Sequence, residues 1–293
     1  MIMDFKNAKE LLALCTRHKM LISEVMRQRE CELAETTTAE IHSRMHRVLD
    51  IMKNSAHQPI SSPQKSMGGL IGGEAQKLEA HRTNNKHICG NVLSRGITYA
   101  MAVLEVNASM GLIVAAPTAG SSGVVPGLLL SLQDEYGFSD EQLIDALMTA
   151  GAIGYLAMRN ATVAGAVGGC QAEVGVAASM AAAAAVELMG GTPKQSLSSS
   201  STVLMNMLGL VCDPVGGLVE YPCQNRNAAG VANALTAAEL ALSGITQLIP
   251  LDEMIAAMYS VGRRLPSEFR ETALGGCAVT PTGCAFCGLS TIR

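Results

Sequence analysis

Across residues 4–32, apolar positions recur three and four apart, Leu11, Leu12 and Cys15 and then Met20 and Leu21, with Lys and Arg between them. That period predicts one amphipathic helix, and a second follows over 38–56. The stretch "HQPISSPQKSMGGLIGG" breaks the pattern with Pro, Ser and Gly and reads as a loop. Ser139 with Gln142 three residues later is a capping-box arrangement, so a helix starts there. Residues 173–189, "EVGVAASMAAAAAVELM", are Ala-rich; Gly190 and Gly191 end the helix, and Thr192 and Pro193 begin the next. So many small side chains suit a closely packed central position. Further helices are predicted near 92–110, 194–208, 225–243 and 251–263, with no alternation long enough for a strand and no fixed-period repeat.

The pattern predicts a mainly α fold, a single compact helical domain with glycine-rich loops between helices. Residues 1–68 read as an N-terminal helical segment with its connecting loop, packed as one domain with a core over 69–293. Composition agrees: 293 residues with 48% apolar and 16% charged residues fit one large core. A net charge of -4, 3% aromatic residues and no Trp leave neither a basic field nor stacking platforms, which argues against nucleic acid as a partner. Charges interrupt the first residues where an export signal needs an apolar run, so the expected location is cytoplasmic. The uncharged run 106–133 is long enough to span a bilayer but holds Pro117, Pro126 and four glycines. A buried, irregular active-site segment is the reading it supports, not a membrane span.

Nine cysteines is an odd count, and a reducing compartment favours thiols or metal ligands over disulfides. Cys15, Cys31 and Cys89 read as small buried hydrophobes. Cys170 closes "AGAVGGC", Cys212 and Cys223 bracket "CDPVGGLVEYPC", and each stands beside Gly or Pro in a break between helices. Helix ends of this kind stabilise anionic sulfur, and three such ends can converge. The C-x-x-C of Cys284 and Cys287 leaves a half zinc site, a redox pair and a frayed end equally open.

The blocks "NASMGLIVAAPTAGSSGVVPG", "GCQAEVGVAASMAAAAAVELMGGTPKQ", "LGLVCDPVGGLVEYPCQNRNAAGVANAL" and "RETALGGCAVTPTG" resemble the catalytic alpha chain of the bacterial iron-sulfur-dependent L-serine dehydratases, over about residues 70–284. The resemblance implies conversion of L-serine to pyruvate and ammonia, in the degradative direction that feeds gluconeogenesis. It also implies a [4Fe-4S] cluster held by Cys170, Cys212 and Cys223, with one iron free to act as a Lewis acid on the substrate hydroxyl.

For the substrate, Thr118, Ser121 and Ser122 in "APTAGSSG", with amides freed by the adjacent glycines, form a donor set suited to a carboxylate; a plain glycine-rich helix connection is the alternative. Asn107 and Arg226 are further candidates, although Arg226 could equally pair with a structural acid. No base stands out: His81 and His87 precede the glycine-rich blocks, and a proton acceptor from a beta subunit is the alternative. His42 and His46 have metal-pair spacing but lie among Arg and Ser on a polar stripe, and are set aside.

Single-chain members of the family carry a regulatory domain with a Ser-rich motif followed by His. The "SLSSSSTVLM" here lies elsewhere and lacks the His, so the resemblance leaves two expectations, a separate beta chain as partner or a chain partly active alone; an oligomeric assembly is expected as well. Some relatives end in a cysteine that folds back onto the open iron; Cys284 falls near that position, with Cys277 and Cys287 beside it. Two other readings stay open, a related iron-sulfur lyase acting on L-cysteine or L-threonine and a non-catalytic zinc-binding scaffold using Cys212, Cys223, Cys284 and Cys287; a pyridoxal enzyme with "TAGSSG" as phosphate cup is disfavoured, because the pattern lacks the strand and helix alternation it needs.

Overall fold

A computed structural model describes residues 3–286. The N-terminal third forms α1 (Ala8–His18), α2 (Ile22–Leu33), α3 (Thr38–Ser61), α4 (Glu74–Asn84) and α5 (Gly90–Ala108). The centre holds α6 (Val124–Tyr136), α7 (Asp140–Asn160), the one-turn α8 (Gly165–Gly168), α9 (Val176–Leu188) and α10 (Pro193–Asn206). α11 (Cys223–Leu242), α12 (Leu251–Arg264) and the short α13 (Pro281–Cys284) complete the order. Among the described residues there is no β-strand, only one isolated bridge between Cys212 and Arg270. The mainly α reading holds, and the strand and helix alternation expected of a pyridoxal enzyme is not there.

α9 is the axis of the molecule. From Val176 to Glu187 every residue is buried, and α6, α7, α10 and α11 pack around it. Seven alanines in this helix let neighbouring backbones approach closely, a denser arrangement than Leu or Phe would permit. Helices α1, α2, α3 and α12 lie outside this ring, yet Phe5, Leu11, Ile22, Leu49 and Met258 belong to the same continuous apolar cluster as the α9 alanines.

Residues 4–32 form two helices where the period predicts one. Lys19 turns into the left-handed region at φ 55°, its amide bonding the Cys15 carbonyl, and α2 restarts three residues later. Two carboxylates from distant helices hold the two pieces. Asp252, in the first turn of α12, accepts from the amides of Ala8 and Lys9 at 2.7 and 3.1 Å. Glu187 of α9, only 8% exposed, accepts from the amides of Ile22 and Ser23 and the hydroxyl of Thr149, at 3.0, 3.2 and 2.8 Å. Free amides and the positive end of each helix dipole are thus satisfied from distant parts of the chain, which no local pattern can announce.

Three further differences are local. α3 runs on through Pro59 to Ser61, since a proline in the last turn costs only one hydrogen bond. α4 escapes prediction because its first turn is capped by Glu105, which accepts from the amides of Gly73 and Ala75 at 3.0 and 2.9 Å. The run 106–133 is irregular only to Gly123; α6 follows, fully buried through Leu132. Among the described residues, no helix is long and apolar enough to cross a membrane. Of the three thiols read as buried hydrophobes, Cys15 is buried, and burial pushes it up to about 12, while Cys31 and Cys89 are half-buried.

Candidate active site

The three glycine- and proline-flanked cysteines meet at the N-terminal end of α9. Cys170 stands at the head of a wide turn, 171–175, that feeds directly into α9. Gln171, 1% exposed, pins that turn: its amide nitrogen donates to the carbonyls of Gly168 and Met258, and its oxygen accepts from the Gly209 amide. Cys223 is the first residue of α11, with its thiol at a helix N-terminus. Cys212 differs from expectation, because it sits in extended backbone and not at a helix end. Its amide donates to the Phe269 carbonyl and its carbonyl accepts from the Glu271 amide, both at 2.9 Å. Between Cys212 and Cys223 the chain reverses through Gly216 and Gly217, both left-handed at φ 64° and 70°. Side chains avoid that region, which explains the paired glycines.

All three sulfurs are nine-tenths buried or more, with exposures of 3%, 3% and 8% for Cys170, Cys212 and Cys223. They sense one another strongly. The neighbouring Cys212 thiol, together with the Arg226 guanidinium, holds Cys170 below the usual thiol range against the effect of burial. Cys212 is pushed up, first by its Cys170 neighbour and then by burial, and Cys223 is pushed up by burial and by Cys170. Three buried thiols that cannot all ionise unaided are a donor set suited to a metal cluster, whose positive irons offset the crowded negative sulfurs. A second feature fits such a group: a Cβ on Gly165 would lie 3.2 Å from the Cys212 sulfur and 2.4 Å from Glu173 Oε2, so the wall there is bare backbone.

Around the sulfurs lie four polar residues that the motif reading did not single out. Glu173, three residues after Cys170, accepts from the Thr118 hydroxyl at 2.9 Å and has the Cys212 thiol 3.9 Å away. Burial pushes its carboxyl up to about 6, with Glu271 adding to the effect and the Thr118 bond opposing it. Asn227, fully buried one turn after Cys223, accepts from the Gly123 amide and donates to the carbonyls of Gly120 and Cys223 at 3.0, 2.8 and 2.9 Å. It fastens the glycine-rich loop to the cysteine-bearing helix. Asp213, 2% exposed, lies 2.7 Å from Arg226 Nη2, and its other oxygen accepts from the Cys277 amide at 2.7 Å. Arg270, across the bridge from Cys212, has a buried Nε with no hydrogen-bond partner. The nearest sequence signal for these is "GCQAE", whose acidic residue falls beside a candidate ligand.

The predicted substrate residues fare unequally. The Thr118 hydroxyl stands 3.0 Å from that of Ser121 and bonds Glu173, so both border the sulfur group. Ser122 turns its hydroxyl to the Ala119 carbonyl at 2.7 Å. Arg226 is already engaged, by Asp213 and by the Val211 carbonyl at 2.8 Å, the structural pairing left open above. Burial works against its charge, and Cys170 and Asp213 outweigh burial and raise it. Asn107 is half-buried in the last turn of α5. His81 is exposed on α4, and His87 faces Asn91 at 3.3 Å at the start of α5, whereas α5 meets the glycine-rich loop near Ala100, about 15 Å further along at 1.5 Å per residue. The structure does not bring either histidine to the sulfurs.

Of the tail cysteines, Cys277 is tied to the site through Asp213, while Cys284 is exposed with its thiol facing the Ala278 carbonyl at 4.0 Å. Cys287 lies outside the described residues. A hollow of about 480 Å³ opens beside this tail, lined by Leu70, Val215, Tyr221, Cys277, Thr280 and Phe286. A larger one of about 530 Å³ between α1, α10 and α12 holds no thiol. Among the described residues the single set of three ligand atoms within 4.8 Å of one another is His42, His46 and Glu141; neither Cys212, Cys223 and Cys284 nor Cys170, Cys212 and Cys223 draw together that tightly, so neither cysteine set is arranged around a single zinc ion.

Comparison with known proteins agrees with the motif blocks. Residues 17–278 match the family model of the serine dehydratase alpha chain. The chain is 48% identical over 279 residues to the probable L-serine dehydratase alpha chain of Bacillus subtilis, covering 95% of this chain and 93% of that one. It is 42% identical over 276 residues to the L-serine dehydratase alpha chain of Peptoniphilus asaccharolyticus, covering 94% of each. An L-serine dehydratase of Helicobacter pylori is 40% identical over 286 residues, which are 94% of this chain and 62% of that longer one.

Proposed function

The chain belongs to the serine dehydratase alpha-chain family, and from that premise we propose that it converts L-serine to pyruvate and ammonia using a [4Fe-4S] cluster held by Cys170, Cys212 and Cys223. The observation that carries the reading is three buried thiols from separate segments standing as neighbours beside the Glu173 carboxyl. The cluster, when bound, supplies an iron without a protein sulfur, a Lewis acid for the substrate hydroxyl.

The chain's own residues supply the rest. Thr118, Ser121 and the amides of the glycine-rich loop receive the substrate carboxylate, and Arg270, whose Nε lacks a partner, is the better cation for it than Arg226. Arg226 and Asp213 instead hold the cysteine loop and the tail in register. Glu173 is the candidate proton acceptor for the alpha hydrogen, because a carboxyl near 6 is largely ionised at neutral pH yet basic enough to take a proton. Loss of the alpha proton and of the hydroxyl, which leaves as water, gives aminoacrylate; its imine tautomer hydrolyses to pyruvate and ammonia. Cys277 is better placed than Cys284 for any regulatory contact with the site. The alpha-chain names of the relatives support a beta chain as partner in the active assembly.

Anaerobically purified protein should form pyruvate from L-serine, with turnover on L-threonine and L-cysteine measured alongside and a candidate beta chain present or absent. Pyruvate formation that favours serine supports the proposal. Preference for cysteine or threonine would reassign the substrate, and no turnover of any of the three by iron-replete protein with its partner would overturn it.

A further inference from the structure

The two histidines that the sequence pattern discounts acquire a third ligand from a distant helix. His42 and His46 lie one turn apart on α3, their rings edge to face with centroids 4.6 Å apart. Glu141, in the first turn of α7, is 99 residues from His42 along the chain. His42 Nε2 contacts Glu141 Oε2, and His46 Nε2 lies 3.0 Å from Glu141 Oε1, so both imidazoles converge on one carboxylate. The three ligand atoms all lie within 4.8 Å of one another.

We propose that His42, His46 and Glu141 form a surface site for a divalent transition-metal ion, zinc by preference, that pins α3 to α7. Two imidazole nitrogens and one carboxylate select such an ion over calcium or magnesium, which take mainly oxygen ligands. Three protein ligands with solvent completing the shell is a common zinc arrangement, and the half-exposed rings leave the solvent side open. Three neighbouring cations already have carboxylate partners. Lys53 is matched by Asp140 at 2.6 Å and Arg27 by Asp145, so neither cation faces Glu141 unpaired, and Arg44 is taken up by Glu40 at 2.9 Å. α3 and α7 are otherwise joined by packing and the Lys53–Asp140 pair, so an ion here adds a cross-link between the N-terminal helices and the ring around α9.

The test uses the full chain as purified anaerobically, whatever iron it carries, with accessible thiols alkylated first so that cysteines do not compete. Zinc is titrated by calorimetry into the wild type, His42→Gln/His46→Gln and Glu141→Gln, and bound zinc is counted after dialysis. The expected result is one zinc per chain fewer in the double variant than in the wild type. Glu141→Gln, which keeps both rings, should weaken binding about tenfold or more. Zinc at a hundredfold excess over Kd should raise the wild-type melting temperature by about 3–5 °C and leave the double variant unmoved. Equal zinc binding by wild type and double variant, or no zinc held by the wild type, overturns the site. Neither outcome bears on serine turnover, so the two proposals fail separately.

Discussion

Gly123 is the point where the glycine-rich loop passes over α5, and alanine there tests whether the loop's position matters to catalysis. A Cβ on Gly123 would stand 2.3 Å from the Ala100 carbonyl oxygen and 2.9 Å from Leu104 Cδ2. Carbon and oxygen in comfortable contact sit about 3.3 Å apart, so either the loop or the helix must retreat by about 1 Å. Ala100 and Leu104 are wholly buried in α5 and have little room to yield. The loop therefore moves, stretching the 3.0 Å bond from the Gly123 amide to Asn227 and carrying Thr118 and Ser121 away from Glu173. A misplacement of that size costs on the order of 100-fold in kcat/KM, while overpacking costs about 1–3 kcal/mol of stability. The assay is steady-state pyruvate formation with iron measured on the same sample, because the three cysteines lie on other segments and should keep their iron. Gly127→Ala is the control: its Cβ meets the Gly96 carbonyl at 2.8 Å, overpacking α6 on α5 one turn beyond the loop, to which the Gly127 amide is tied only through the Gly123 carbonyl at 2.9 Å. If folded, iron-replete Gly123→Ala turns over serine as fast as Gly127→Ala, the loop does not position the substrate.

Three further outcomes test the fold. Glu187→Ala strands two buried amides and the Thr149 hydroxyl, and urea unfolding should report a loss of about 3–5 kcal/mol; a loss under about 1 would mean water replaces the carboxylate. Gly151→Ala lies in the interior of α7 with nothing within 4 Å of the new Cβ, and should raise stability by about 0.5–1 kcal/mol; no gain would point to strain not visible there. Hydrogen bonds from Lys53 and then Gln133 hold the Asp140 carboxyl below its ordinary value, so their contribution is present above about pH 4 and is lost as pH falls through the depressed folded value. Lys53→Met should therefore cost about 0.5 kcal/mol at pH 7, discounted because Asp140 is 43% exposed, with the gap narrowing as pH falls below the ordinary carboxylate range; a gap that does not narrow in acid would show packing at work instead.

Much of this molecule is legible where the chain speaks locally. Ser139 and Gln142 announce α7, Thr192 and Pro193 announce α10, and the alanines of α9 announce a crowded centre, because capping and side-chain size act over a few residues. What stays hidden is supplied from far along the chain. The break at Lys19 and the start of α4 depend on Glu187 and Glu105, each reading as an ordinary surface acid until the fold buries it. The same holds at the site. Cys170, Cys212 and Cys223 are visible through their glycines and the motif blocks, but Glu173 and Asn227 acquire meaning only when 118–123 folds over α11. His81 and His87 show the converse: nearness in sequence to the glycine-rich blocks does not carry over to space, because α5 runs its length between them and the loop. In sequence His42 and His46 read as a solvated stripe, because their third partner lies on α7.

The central claim is that three particular sulfurs hold the inorganic centre. Iron and acid-labile sulfide should be counted per chain after anaerobic reconstitution of the wild type and of Cys170→Ser, Cys212→Ser, Cys223→Ser and Cys284→Ser. About four of each are expected in the wild type and in Cys284→Ser, with most lost on replacing any of the other three. Full iron and sulfide in all three single variants, or none in the wild type, would contradict it.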